Sequence, residues 1–82
     1  MTADQIRAQV LECLGRVAPE VDPAGIAPDV PLRDQLDIDS MDFLNVIVGI
    51  HERTGIDVPE ADYEHLETLD GAIKYLVRVS RG

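Results

Sequence analysis

The chain has 82 residues, a formal charge of -9 from 16 acidic against 7 basic side chains, and one cysteine. That length suits a single domain, residues 1–82, around one modest hydrophobic core, with no room for a large catalytic cleft. The acidic balance repels the phosphates of nucleic acid and anionic membranes and favours a partner with a basic face. Cys13, being alone, excludes an internal disulfide and a zinc site, and reads as a buried thiol.

Thr2 with Gln5 three positions on offers a capping box, and behind it Ile6, Val10, Cys13, Leu14 and Val17 recur at helical spacing. They predict a first helix ending near Gly15 to Val17. Asp4, Gln5 and Arg7 break up the apolar residues of Met1 to Val10, so no signal-peptide stretch stands there, and nothing later approaches a membrane span. The cytoplasm is the expected location.

From Ala18 to Asp39 the period lapses, and prolines stand at 19, 23, 28 and 31, each removing a backbone donor and restricting its predecessor. A long loop is expected, because loops of this length in a compact domain either serve a function or pack through their own apolar residues. Ile26, Val30, Leu32, Leu36 and Ile38 are the candidate anchors, with a brief helical stretch around Leu32 to Leu36.

Asp39 or Ser40 then caps a second helix over about Met41 to Thr54, which Gly55 stops. At about 100° per residue, Phe43, Val46, Ile47 and Ile50 share one side and should face the core. Met41, Leu44 and Val48 form a separate stripe bordered by Asn45 and Glu52, more than one buried face can absorb. Either the loop residues Leu32 to Ile38 cover that stripe or a partner does.

Beyond Ile56 and Val58, Pro59 and Glu60 open a short third helix to about Leu66, with acidic residues in its first turn as the macrodipole prefers. Thr68 caps a fourth helix whose apolar stripe is Leu69, Ala72, Ile73, Leu76 and Val77, leaving Ser80, Arg81 and Gly82 trailing. No segment alternates as a strand does. The expected class is all-α: three longer helices and one short helix around one core, with the long loop between helices one and two.

Ser40 stands where loop meets helix, flanked by Asp39 and Asp42, and an ordinary capping serine would look the same. A hydrolytic serine needs a base within hydrogen-bond reach. His51, further along the same helix, lies about 16 Å away at the helical rise. His65 approaches only through tertiary folding, and the glycines of a nucleophile elbow are missing. Asp37, Asp39 and Asp42 do not form a calcium loop: Met41 falls on a ligand position and Val48 on the twelfth. His51, His65 and Cys13 lack metal-ligand spacing. Ser40, if functional, is acted on by something else.

The run Leu36-Asp37-Ile38-Asp39-Ser40-Met41-Asp42, the apolar helix, then Gly55-Ile56-Asp57-Val58-Pro59 and Leu66, Thr68, Leu69, Ala72, Ile73 and Tyr75 together resemble the acyl carrier protein family over essentially the whole chain. The resemblance implies a free-standing four-helix carrier that catalyses nothing. Phosphopantetheine would be attached to Ser40 from coenzyme A by a magnesium-dependent phosphopantetheinyl transferase, and acyl groups would ride as thioesters between loading and transferring enzymes with basic docking faces. It further implies a docking surface of Asp39, Met41, Asp42, Leu44, Asn45, Val48 and Glu52. An acyl pocket between helices two and three would be lined by Phe43, Ile47, Ile50, Val58, Tyr63, Leu66 and Ala72. High charge favours a monomer.

Departures from the family pattern bear on pathway. Asp37 stands where many members have glycine, so the turn into the helix should differ. Asn45 and His51 replace residues often acidic in fatty-acid carriers. Phe43 and Tyr63 add bulk beside the pocket, which points to short, polar or external cargo in a specialised lipid or polyketide pathway, unless Gly49 restores the space. Two other readings stay open: an aminoacyl or peptidyl carrier using Ser40 identically, and an unmodified acidic interaction module.

Overall fold

The computed structural model describes residues 1–80; Arg81 and Gly82, expected to trail the last helix, lie outside them. The elements in order are α1 (Ala3–Val17), a 3-10 turn (Pro23–Gly25), α2 (Leu32–Gln35), α3 (Ser40–Thr54), a 3-10 helix (Glu60–Leu66) and α4 (Leu69–Ser80). The described residues are helix, turn and loop, without a strand. The all-α bundle expected from the periodicity is what forms, with α3 as its second long helix.

Thr2 and Gln5 close the capping box of α1: the Gln5 amide donates to Thr2 Oγ1 at 3.2 Å and the Thr2 amide to Gln5 Oε1 at 2.8 Å. Behind it Ile6, Val10, Cys13 and Leu14 are buried, and α1 packs against both α3 and α4. Gly49 brings α1 and α3 together, since a Cβ there would stand 3.1 Å from Cys13 Sγ. The glycine therefore opens space toward α1 and not toward the expected acyl pocket. Burial pushes the Cys13 thiol up from its ordinary value, with Arg53 and Arg16 pulling the other way. Across the same contact Arg53 Nη2 meets Glu12 Oε2 at 2.6 Å and its Nε donates to Gln9 Oε1 at 2.6 Å.

The long loop is tied down. Gln35 acts as its clasp, donating from Nε2 to the carbonyls of Ala27 and Val30 and accepting the Ala27 amide. The Leu32 amide reaches the Glu67 carbonyl at 2.7 Å, and the Asp70 amide reaches the Pro28 carbonyl at 2.9 Å. Ile26, Leu32, Leu36 and Ile38 are buried as expected. Val30 is not: it is exposed, between prolines at 28 and 31 that hold the backbone out over the surface.

Three details of the second half depart from expectation. The short third helix is 3-10 in form. A rise of about 2.0 Å per residue, against 1.5 Å in an α-helix, lets its seven residues reach farther between buried Val58 and buried Leu66. In α4 the buried set is Leu69, Ala72, Tyr75 and Leu76, while Ile73 and Val77 are only half-buried. Tyr75 enters the core because its hydroxyl finds a partner there, donating to Asp62 Oδ2 at 2.7 Å, while the His65 ring stacks on it with centroids 5.3 Å apart. That hydrogen bond, with some burial, raises the phenol above its ordinary range. Ser80 belongs to α4 and does not trail it.

Candidate functional site

The start of α3 is built by a second capping box. Asp39 is the N-cap, with extended backbone (φ -101°, ψ -174°), and its Oδ1 accepts the Asp42 amide at 2.8 Å. Asp42 answers by accepting the Asp39 amide on Oδ2 at 3.3 Å. Two orphan donors of the helix end are thus satisfied, and two carboxylates lie at the positive end of the dipole. Of the two capping residues left open by the sequence, Asp39 takes the role. Ser40 becomes the first residue of the helix, exposed, with its hydroxyl not spent on capping.

The turn leading in does not need a glycine. Among the described residues no non-glycine residue has positive φ, so Asp37 holds an ordinary backbone conformation. Leu36 and Ile38 are buried on either side of it, and the Ile38 amide reaches back to the Leu36 carbonyl at 2.9 Å. The change of geometry expected from Asp37 costs no left-handed strain.

No base attends the hydroxyl. His51 lies in the last turn of α3, its Nδ1 3.2 Å from the Ile56 carbonyl, and His65 is engaged with Tyr75. What approaches Ser40 is a cation: Arg33 Nη2 donates to Ser40 Oγ at 3.0 Å. Sequence reasoning passed over Arg33. Its signal was a lone basic residue in the acidic run 29–42, with a helical turn to carry it back over the serine.

Beside Ser40 an open cleft of about 490 Å³ runs between α3 and the 3-10 helix. Phe43, Leu44 and Tyr63 form its apolar part, and Arg33, Glu60, Glu64 and Glu67 its polar part. Of the seven residues expected around an acyl pocket, Phe43 and Tyr63 line this cleft, both half-buried, so Phe43 does not enter the core fully as its angular position suggested. Ile47, Ile50, Val58, Leu66 and Ala72 lie deeper, each at most 5% exposed.

On the outer face of α3, Met41 is 65%, Leu44 40% and Val48 46% exposed. The loop does not cover them, because Leu32, Leu36 and Ile38 turn inward to the core. Asp39, Asn45 and Glu52 are exposed as well, and Asp42 is half-buried. Among the described residues no three of His, Cys, Asp and Glu converge as a metal site, and no helix is long and apolar enough to cross a membrane.

Residues 5–76 match the family model described as the phosphopantetheine attachment site. The chain belongs to that carrier family. Among its relatives, it is 26% identical to the acyl carrier protein of Rubrobacter xylanophilus over 74 residues, covering 87% of this chain and 91% of that protein. It is 28% identical to the acyl carrier protein of Zymomonas mobilis over 75 residues, 92% and 90% of the two chains. The meromycolate extension acyl carrier protein of Mycobacterium tuberculosis is 27% identical over 79 residues, 96% of this chain and 68% of that protein. Phosphopantetheine is the prosthetic group of the carrier family. The residues here fit it: an exposed hydroxyl, relieved of capping by Asp39, opens onto a cleft with a cation beside it.

Proposed function

We propose that this carrier takes phosphopantetheine on Ser40 and shuttles acyl intermediates between biosynthetic enzymes, catalysing nothing itself. The observation that supports this best is the division of labour at the start of α3, where Asp39 caps and Ser40 is left exposed without a base. A hydroxyl that an outside enzyme must reach needs exposure and a fixed position, and the capping box supplies both. When attached, the arm's terminal thiol supplies the thioester on which cargo travels. The phosphopantetheinyl transferase and the acyl-handling enzymes grip Met41, Leu44 and Val48 as an apolar contact, while Asp39, Asp42 and Glu52 meet basic residues and Asn45 lies at the edge. Complementary charge of this kind mainly raises encounter rate and specificity.

The cargo is short or polar and rests in the cleft walled by Phe43 and Tyr63, in keeping with a specialised lipid or polyketide pathway. The glutamates of the cleft and the closed packing beneath it favour that reading. Intact mass after incubation with coenzyme A, magnesium and a phosphopantetheinyl transferase tests the attachment: the wild type should gain one arm and Ser40→Ala none. An unmodified wild type would refute it. With octanoyl and palmitoyl groups loaded, amide and aromatic-ring shifts should concentrate at Phe43 and Tyr63. Strong shifts at Ile47 and Leu66 would mean that the chain enters the core.

A further inference from the structure

We infer that Arg33 is the residue that holds the phosphodiester of the arm, fixing the Ser40 side chain before attachment and neutralising the new anion after it. The inference rests on the reading of Ser40 as the attachment point and goes on to the residue that receives the charge.

Before attachment, Arg33 Nη2 is 3.0 Å from Ser40 Oγ. That oxygen becomes the bridging atom of the ester. In the transfer, Oγ bonds to the phosphorus that carries pantetheine. The bond from that phosphorus to the bridging oxygen of the pyrophosphate breaks, 3′,5′-ADP leaves, and the Oγ proton passes to a base on the transferase. The product places a phosphodiester with one negative charge at the same spot, its free oxygens within a bond length or two of where Oγ stood. A guanidinium carries five N–H donors in a planar fork suited to phosphate. One of them is used on Oγ, and Arg33 makes no ion pair among the described residues, whereas Arg53 is paired with Glu12 and Lys74 with Asp70.

The surroundings make this cation necessary. The chain carries a charge of -9; Asp39 and Asp42 flank Ser40, and Glu60, Glu64 and Glu67 line the cleft, whose one basic residue is Arg33. A further anion set among those carboxylates is repelled unless a positive group stands beside it. The position of Arg33 follows from the fold. It sits on α2, whose start is bonded to the Glu67 carbonyl through Leu32 and whose far end is clasped by Gln35, so its stem has a fixed base. Arg33 itself is exposed and can be replaced without touching the core.

The test uses the whole chain as wild type, Arg33→Gln and Arg33→Lys, each first shown to melt like the wild type. Conversion to the arm-bearing form is followed by intact mass with coenzyme A, magnesium and a phosphopantetheinyl transferase. An exposed pair of this kind predicts conversion about two- to fivefold slower in Arg33→Gln. Arg33→Lys, which keeps the charge without the fork, should fall between. On the purified arm-bearing proteins, the phosphorus-31 resonance should move between wild type and Arg33→Gln, and the Arg33 Nε–Hε resonance of the wild type should shift on attachment. A slower conversion with both resonances unmoved would mean that Arg33 acts by docking the transferase, and would overturn the inference. Equal rates and unmoved resonances would overturn it as well, leaving Ser40 as the attachment point. A wild type that gains no arm would instead overturn the carrier reading and this inference with it.

Discussion

Replacing Asp39 tests the link between the helix cap and the exposed hydroxyl. In Asp39→Ala the 2.8 Å bond from the Asp42 amide to Oδ1 disappears, while the reverse bond from the Asp39 amide can persist. Loss of an N-cap acceptor costs about 1 kcal/mol, within a range of 0.5–2 kcal/mol. For a chain of this size that lowers the melting temperature by about 4–8 °C. Asp39→Asn keeps a good capping oxygen and removes the charge, so it should melt within about 2 °C of the wild type. The functional consequence follows from the geometry: without Asp39 the neighbouring Ser40 hydroxyl is the nearest substitute cap, and a hydroxyl bonded to the helix end is a poorer acceptor for the arm. Thermal melts by circular dichroism and time-resolved intact mass with the transferase measure the two effects. The alanine variant should lose both stability and conversion rate, and the asparagine variant only whatever rate depends on charge. If Asp39→Ala melts with the wild type, the capping box is not what holds Ser40 in place.

Two glycines should respond to alanine with opposite signs. At Gly71 a Cβ would stand 2.7 Å from the His65 carbonyl oxygen and 2.8 Å from Thr68 Oγ1, so overpacking of about 1–3 kcal/mol outweighs the roughly 1 kcal/mol gained in helix propensity. At exposed Gly15 nothing lies within 4 Å, and Gly15→Ala should gain up to about 1 kcal/mol; urea unfolding giving both changes the same sign would contradict the packing described. On the outer stripe, Met41→Ala and Val48→Ala should leave stability within about 0.5 kcal/mol, because both side chains are exposed. Both should nonetheless raise the KM of the transferase for the apo chain, and an unchanged KM would show that the stripe is not gripped.

Most of the helical layout was legible because it rests on local rules. The capping box at Thr2, the stop at Gly55 with its left-handed φ of 76°, and the separate stripe of Met41, Leu44 and Val48 all follow from spacing and residue type. What escaped depends on contacts between residues far apart in the chain. Tyr75 joins the core, with Ile73 and Val77 packed at its edge, because Asp62 supplies its acceptor. Gly71 is required by the His65 carbonyl, and Gly49 is set closely against Cys13; neither neighbour can be seen from helical periodicity. Arg33 reaches Ser40 through a short helix whose existence rests on the Gln35 clasp and the Leu32 to Glu67 bond.

These same contacts say where a cargo can go. Gly49, Cys13, Arg53 and Glu12 join α3 to α1, while Tyr75, Asp62 and His65 join the 3-10 helix to α4. The cleft at Ser40 lies along the seam between these two joined pairs, with Phe43 and Leu44 on one lip and Tyr63 and Glu64 on the other. A chain entering the core must part that seam and separate Ile47 and Ile50 from Val58, Leu66 and Ala72. Each apolar Å² uncovered costs about 25 cal/mol unless the cargo covers it again. A long saturated chain can repay that cost only by filling the opening completely, whereas a short or polar group repays little and is better placed in the cleft beside the acidic lip.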